Sequence, residues 1–210
     1  GTFWGEQVRF TVLFRYASEM HGFQFAAGGG YQKDNNLGGF GPADALPTRT
    51  IVEQQAYALS LKHVASGIFV QGNTGRTNWP VVAGNATPGK SDGTMWQIQG
   101  GIAKNWFGPG VTAFYGEYGH AEGYASGTAS NSLTTAATAS ANGFFAPLGS
   151  FITSDKVDYY GLGMTQKIDA AATTLYLGWR HFDPSLSTSV GGNRPLSSID
   201  TIIGGARIAF

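Results

Sequence analysis

An alternation of apolar residues with small or polar ones recurs along the whole chain and constrains its fold more than any other feature. Between residues 7 and 16 every even position is apolar, whereas the odd positions include Arg9, Thr11 and Arg15. A period of two residues is the period of a β-strand, because successive side chains point to opposite faces of the sheet. The sequence therefore predicts strands with one apolar face and one face of small or polar residues.

Six further segments alternate clearly, and two do so less clearly, so we expect nine strands of about ten residues. Residues 67–72 are short for a strand, and residues 111–120 offer two apolar faces. The expected strands cover residues 7–16, 22–32, 54–63, 67–72, 95–104, 111–120, 157–168, 173–182 and 199–210.

The connections between these segments are alternately short and long. Short turns on one rim and long loops on the other are typical of an outer-membrane β-barrel. The short connections are 17–21, 64–66, 105–109 and 169–172, and the long ones are 33–49, 73–94, 121–156 and 183–198. The expected fold is thus an all-β, transmembrane, antiparallel up-and-down β-barrel that forms one domain over residues 1–210.

Aromatic residues lie near the ends of the expected strands, as the two interfaces of a bilayer select. Those near short turns are Tyr16, Phe23, Trp106, Phe107 and Phe210, and those towards long loops are Tyr31, Trp96, Tyr160, Trp179 and Phe182. Between the two groups, we expect an exposed, lipid-facing set of Val12, Leu59, Ile98, Leu162, Leu177 and Ile202.

Composition narrows the possible classes of protein. The 210 residues include 13 basic and 13 acidic side chains and no cysteine, which excludes a disulfide scaffold, a thiolate zinc site and a cysteine nucleophile. Zero net charge gives no electrostatic reason to expect nucleic acid as a partner. Charged residues make up 12% of the chain, about half the usual share, so the outer face of a soluble sandwich would be poorly supplied with charge. No apolar stretch is long enough for a membrane-spanning helix.

The end of the chain resembles a known family. Residues 160–182, from Tyr160-Gly-Leu-Gly-Met to Gly-Trp-Arg-His-Phe182, and residues 200–210, Asp-Thr-Ile-Ile-Gly-Gly-Ala-Arg-Ile-Ala-Phe, resemble the last three strands of general porins of Gram-negative bacteria. The resemblance is greatest to porins of alphaproteobacteria, and the rest of the chain agrees in pattern only. The terminal Phe210, with Ile208 before it, is similar to the signal that such proteins present to the outer-membrane assembly machinery.

The resemblance implies a 16-stranded barrel, usually assembled as a homotrimer in outer-membrane lipid, through which small hydrophilic solutes diffuse. It implies no cofactor and no enzymatic activity. Nine strands are an odd number, whereas single-chain bacterial barrels have an even one. We therefore expect about seven further strands, and the inward-folded constriction loop of the family, to lie before Gly1.

Six basic residues share the polar parity of their strands and are predicted to line the pore. They are Arg9, Arg15, Lys62, Lys167, Arg180 and Arg207. Arg9, Arg180 and Arg207 are expected deeper in the lumen, whereas the other three lie near short turns and could instead extend to the periplasmic rim. No acidic residue falls clearly on this face, although Glu117 would join it if Phe114 and Tyr118 faced lipid. In the family, a basic wall of this kind faces acidic groups on the constriction loop.

No constellation for catalysis or metal binding stands out. The four histidines lie at or near strand ends, and the spacing of Glu117, His120 and Glu122 does not put three ligands on one side of a strand. A passive porin is therefore the leading hypothesis. The alternatives are a substrate-specific channel, for sugars or phosphate, and a barrel enzyme or a soluble adhesive β-protein. A line of aromatic residues along the lumen would favour sugars, but only Tyr159 and Tyr176 fit that position, so the sequence argues weakly against a sugar channel.

Overall fold

A computed structural model describes residues 8–37, 49–78, 92–123, 152–188 and 192–209, and these residues form an all-β structure. The strands are β1 (Val8–Met20), β2 (Phe23–Leu37), β3 (Arg49–His63), β4 (Ile68–Asn78), β5 (Asp92–Lys104), β6 (Thr112–Glu122), β7 (Ile152–Ile168), β8 (Thr173–Thr188), β9 (Gly192–Pro195) and β10 (Ile199–Ile208). A single 3₁₀ turn, Asp169–Ala171, joins β7 to β8. Within these ranges no helix is long and apolar enough to cross a membrane.

All ten strands belong to one antiparallel sheet. Strands β1 to β8 pair in chain order, and β10 then pairs with β8. The short β9 pairs with residues 185–188 of β8, beyond the part of β8 that pairs with β10. The prediction of one antiparallel up-and-down sheet is confirmed. The sheet is open, with β1 at one edge and β10 at the other.

Several strands are longer than the alternation of apolar residues predicts. Strand β2 continues to Leu37, β4 to Asn78 and β8 to Thr188. Backbone pairing continues through these segments although polar residues occupy both faces there, as in the adjacent pairs Gln32↔Gln54 and Lys33↔Glu53. An apolar pattern detects only the part of a strand that has an apolar face, so it placed the long connections too close to the centre of the sheet.

The turn between β1 and β2 shows the same effect at the other end of the sheet. Residues His21 and Gly22 both have positive φ, 52° and 77°, as a two-residue type I′ hairpin requires. The pair Met20↔Phe23 closes the hairpin. Strand β1 therefore extends through residues 17–20, which were predicted to form the turn.

The register assigns every strand residue to one of two faces, because directly paired residues point to the same side of a sheet. One row of partners defines the apolar face: Phe25, Leu61, Val70, Gly100, Gly116, Leu162, Trp179 and Ile202. Another row defines the polar face: Gln71, Gln99, Glu117, Gly161, Arg180 and Thr201.

Apolar side chains form no buried core in the part of the chain that the structure describes. Every buried residue there is a glycine or a threonine, and Thr112 alone is fully buried. The six residues expected on the lipid-facing side all lie on the apolar face and are exposed, from 50% for Val12 to 76% for Ile202. The prediction that these six residues are exposed on one face is confirmed. An ordinary soluble sheet covers such a face with a second layer.

Candidate functional site

The polar face is the candidate functional surface, because it concentrates hydrogen-bonding groups between the two ends of the sheet. Amide side chains bond across the strands: Gln71 donates to Gln99, and the Nδ2 of Asn73 lies 3.3 Å from the Oε1 of Gln97. We call the end of the sheet at the turns 21–22 and 169–172 the short-turn end, and the opposite one the long-loop end. The face presents a hydrogen-bonding surface along its length.

An ion pair occupies the middle of this face. The Nε of Arg180 lies 2.7 Å from the Oε1 of Glu117, and the Nε2 of Gln97 donates to the Oε2 of Glu117 at 2.6 Å. Glu117 and Arg180 are two strands apart, and Gly161 lies between them in the row, where the absence of a side chain leaves room for the contact. The Glu117 side chain is only 7% exposed. Its charge is therefore screened from water and balanced by one cation.

The same arginine packs against two aromatic rings. Its guanidinium carbon lies 5.1 Å from the ring centre of Tyr159 and 5.9 Å from that of Phe182, and the two rings are 5.6 Å apart. Contacts of this kind attract a cation to the face of a ring. Arg180 is thus held by both a carboxylate and two rings, so its position on the polar face is well defined.

The expectation that the polar face lacks acidic residues is wrong. Glu19, Asp34 and Glu117 all lie on it. Glu19 and Asp34 were missed because the predicted strands ended before them, whereas β1 and β2 extend past both. Glu117 lies on the polar face as well, because Phe114 and Tyr118 of the same strand lie on the apolar face.

Two more of the six predicted basic residues also have acidic partners. The Nε of Arg9 lies 2.6 Å from the Oδ1 of Asp34, and the Nζ of Lys167 lies 2.8 Å from the Oδ1 of Asp169. Asp34 lies three residues beyond Tyr31, outside the apolar part of β2, and its hydrogen bond with Arg9 lowers the pKa of its carboxyl. For Arg15, Lys62 and Arg207 the structure records no ion pair with a described residue.

The positions of the basic residues along their strands also differ from expectation. Arg15 was expected near a short turn, but it lies mid-strand opposite Gly28. Arg207 was expected deeper in the lumen, but it is the penultimate residue of β10, at the short-turn end, and Arg9 lies at the long-loop end of β1. Of the three arginines predicted to lie deepest, only Arg180 is mid-strand. For Arg15 the cause is that β1 continues four residues beyond the predicted end of the strand, to Met20.

Aromatic residues are more numerous on the polar face than the alternation predicted. Phe182 was assigned to the outer girdle and belongs to this face, and the position of Tyr115 was ambiguous because β6 is apolar on both faces. The phenol ends of three tyrosines lie over glycines of the paired strands, where a methyl group would overlap them. The pairs are Tyr115 over Gly163, Tyr159 over Gly119, and Tyr176 over Gly205.

Charges on the apolar face gather at its long-loop end and are paired there. The pairs include Lys33 with Glu53 at 2.8 Å, Arg76 with Asp92 at 3.1 Å, His120 with Asp158 at 2.7 Å and His181 with Asp200 at 3.0 Å. Glu117 lies on the opposite face from His120 and Glu122. Across the described ranges, no group of three histidine, aspartate or glutamate side chains is placed to hold a metal ion.

Next to these charges, an aromatic line crosses the apolar face obliquely. Following paired residues from Tyr31 of β2 across six strand-to-strand steps leads to Ser185 of β8. The aromatic residue at the corresponding edge of the apolar band in β8 is Trp179, six residues before Ser185. The band is therefore displaced by about one residue per strand, which corresponds to strands tilted by about 35° to the normal of the band.

The structure describes one of the two residues of the predicted assembly signal. Ile208 lies on the apolar face of β10 and is 55% exposed, whereas Phe210 lies outside the described residues.

Comparison of the chain with protein-family models, with curated proteins and with solved structures finds no match to any of them.

Proposed function

We propose that the sheet is part of the wall of a β-barrel in the bacterial outer membrane, and that the barrel is a water-filled channel. Small hydrophilic solutes and ions would diffuse through it passively. The observation that carries this proposal is that most of the exposed large apolar side chains lie on the apolar face, and that in β4 to β7 the polar face is the more shielded of the two. In β4, for example, Ile68 and Val70 on the apolar face are exposed, whereas Phe69 and Asn73 on the polar face are half-buried.

The hydrophobic effect explains why this arrangement favours lipid. Covering a large aliphatic or aromatic side chain contributes about 1.5 to 3 kcal/mol, and the structure leaves many such side chains uncovered on one face. The hydrocarbon of a bilayer would cover them all without a second protein layer. The half-buried state of the polar face in β4 to β7 is what side chains experience on the inner side of a curved sheet, where they screen one another.

The oblique aromatic line supports a barrel in particular. Strands in closed barrels tilt by about 35 to 45°, and the apolar band of this sheet gives about 35°. Hydrocarbon offers no partner for a free backbone edge, so the proposed wall requires partners for the edges of β1 and β10. The same proposal includes two kinds of partner, namely further copies of the chain in a homotrimer and the outer-membrane assembly machinery.

The proposed mechanism is exclusion by size combined with electrostatic filtering, and no covalent step is involved. Amide, hydroxyl and charged groups on the polar face replace part of the hydration of a passing solute. The paired charges Arg180 and Glu117 create a local field without net charge, whereas Arg15 adds net positive charge at mid-height. Selectivity among ions would thus depend on the unpaired cations of the wall.

Conductance tests the proposal directly. The full-length chain would be refolded in detergent and added to a planar lipid bilayer in 1 M KCl, with detergent alone as the control. We expect discrete, long-lived steps in current and ohmic conductance. A chain that folds without detergent and produces no steps would show that the sheet belongs to a soluble protein, such as an adhesive β-protein, and would overturn the proposal.

A substrate-specific channel is the second candidate, because the polar face carries more aromatic residues than a simple aqueous wall needs. Tyr115 and Phe182 join Tyr159 and Tyr176 there. Aromatic residues combined with a few placed polar groups are typical of ligand sites.

A further inference from the structure

Four aromatic residues and one ion pair form a continuous stripe on the polar face of β6, β7 and β8. Tyr176 lies nearest the short-turn end, Tyr115 one row further on, the Arg180–Glu117 pair in the next row, and Tyr159 with Phe182 in the row after that. Three intervals of two residues along a strand make the stripe about 20 Å long. We call this set the aromatic stripe: Tyr115, Glu117, Tyr159, Tyr176, Arg180 and Phe182.

The tyrosines of the stripe lean along the wall. Because the phenol ends of Tyr115, Tyr159 and Tyr176 lie over glycines of the paired strands, these rings rest on the sheet. Tyr176 is 41% exposed and Tyr115 is half-buried, so both rings remain accessible from the space above the polar face. Flat rings in series offer stacking surfaces to a ligand that itself has flat apolar faces.

The charges of the stripe favour a neutral ligand. Glu117 and Arg180 are the only charged residues among residues 113–121, 157–165 and 174–182 on the polar face, and they form an ion pair at 2.7 Å. A phosphate or another anion would meet a cation that is already neutralised. The guanidinium of Arg180, which is 38% exposed, and the amide of Gln97 can nevertheless bond to neighbouring hydroxyl groups.

Neutral sugars combine these two properties. A pyranose ring has an apolar face of C–H groups and a rim of adjacent hydroxyls. We infer that the aromatic stripe binds neutral linear oligosaccharides, with sugar rings stacked on Tyr115 and Tyr176 and hydroxyls bonded to Arg180 and Gln97. This inference rests on the proposed channel and makes it a sugar-selective one.

The test uses maltohexaose, a linear neutral glucose hexamer, with the full-length chain. Addition of the sugar to the bilayer chamber should block the current saturably, and poly(ethylene glycol) of similar mass, which lacks apolar ring faces, should not. Replacing both Tyr115 and Tyr176 by leucine should weaken the block by about tenfold, because leucine covers the glycines but cannot stack. Replacing both by phenylalanine, which retains the ring, should change it by less than about threefold.

Tyr57→Leu is the matched control. Tyr57 also lies over a glycine, Gly29, but on the apolar face, so the block should stay at its wild-type level. A conducting channel that maltohexaose does not block, or equal losses in the Tyr115/Tyr176 and Tyr57 variants, would overturn the inference and leave the channel intact.

Calorimetric titration of maltohexaose into the detergent-refolded chain separates the two proposals. If no conductance were observed, the proposed channel would be ruled out. The titration alone would then test whether the aromatic stripe binds the sugar. Saturable heat that is lost with Tyr115 and Tyr176 would support the sugar site. No heat would overturn it.

Discussion

The same strands build the two faces of the sheet, and in β5 and β6 the glycines of the two faces have sharply different surroundings. In β5, Gly100 on the apolar face has no side-chain atom near the position of a Cβ, whereas a Cβ at its neighbour Gly101 would overlap the backbone of β6. In β6 the same contrast separates Gly116, which has room, from Gly119, which lies under Tyr159. The polar face is packed against itself in this region, and the apolar face is left open.

Charge follows the same division. The polar face carries an ion pair at mid-height, Glu117 with Arg180, whereas the paired charges on the apolar face, such as Lys33 with Glu53, lie beyond the aromatic line. An apolar band that is free of charge and flanked by aromatic and paired charged residues is what a bilayer selects. The polar face thus neutralises its central carboxylate within the sheet, whereas the apolar face leaves its large side chains uncovered.

The largest difference in stability between the two faces is expected when an arginine is introduced on each of them. Leu177 on the apolar face and Ile203 on the polar face lie on paired strands and are similarly exposed, 51% and 59%. In lipid vesicles, Leu177→Arg should lower the free energy of unfolding by about 2 to 4 kcal/mol, because the charge would lie in hydrocarbon. Ile203→Arg should change it by less than about 1 kcal/mol. Equilibrium unfolding in denaturant measures both.

Because Leu177 and Ile203 are similarly exposed, the two arginine variants test whether lipid or water covers the apolar face. If water bathed both faces, two exposed aliphatic residues would tolerate arginine equally well. Similar unfolding free energies for the two variants would therefore show that the apolar face is not covered by lipid.

The sequence predicted the faces well and the ends of the strands poorly. Alternation assigned Leu59 and Leu162 to the apolar face and Arg180 to the polar one, because a period of two leaves no freedom once one face is apolar. It could not place Asp34 or Glu19, since pairing there depends on backbone hydrogen bonds that continue after the apolar pattern stops. Strand β6 was ambiguous because Tyr115 and Phe114 are both aromatic, and only the register assigns them to opposite faces.

The site was predicted in the same uneven way. The basic residues followed from parity, but their acidic partners did not, because the contact of Arg180 with Glu117 joins residues that are 63 positions apart in the chain. The sequence also could not predict that three tyrosines lie over glycines, because each contact depends on a glycine that the strand register places opposite the tyrosine.

A smaller effect distinguishes the neighbouring glycines of β5. Gly101→Ala should destabilise the protein by about 1 to 3 kcal/mol, because its methyl group would overlap the backbone of β6 and the ring of Phe69. Gly100→Ala meets nothing closer than 3.7 Å and should be neutral or stabilising by up to about 1 kcal/mol. Denaturant unfolding of the two variants in the same vesicles compares them, and the reverse order of stability would contradict the packing described for the polar face.

The central ion pair should contribute somewhat less. Arg180→Gln leaves the Glu117 carboxylate, 7% exposed, without its cation, while Arg180 itself is 38% exposed. Because water partly screens the arginine, we expect a loss of about 1 to 2 kcal/mol, below the usual cost of breaking a fully buried pair. Adding Glu117→Gln should restore most of that loss, since the two amides can bond to each other. A double variant as unstable as the single one would show that the carboxylate is not the source of the cost.

The smallest effect concerns ion selectivity and compares paired with unpaired charges on the polar face. Arg15 lies mid-strand, is exposed, and has no recorded ion pair with a described residue, whereas Arg180 is balanced by Glu117. A fixed charge acts over about 8 to 10 Å at physiological salt, so Arg15 should attract anions to the middle of the channel. In bilayers with a salt gradient, Arg15→Gln should shift the reversal potential towards cation preference, and the shift should shrink as salt is raised. The double variant Arg180→Gln with Glu117→Gln removes one charge of each sign and should leave the reversal potential unchanged. A larger shift from the double variant than from Arg15→Gln would mean that the Glu117–Arg180 pair, and not Arg15, sets the field along the polar face.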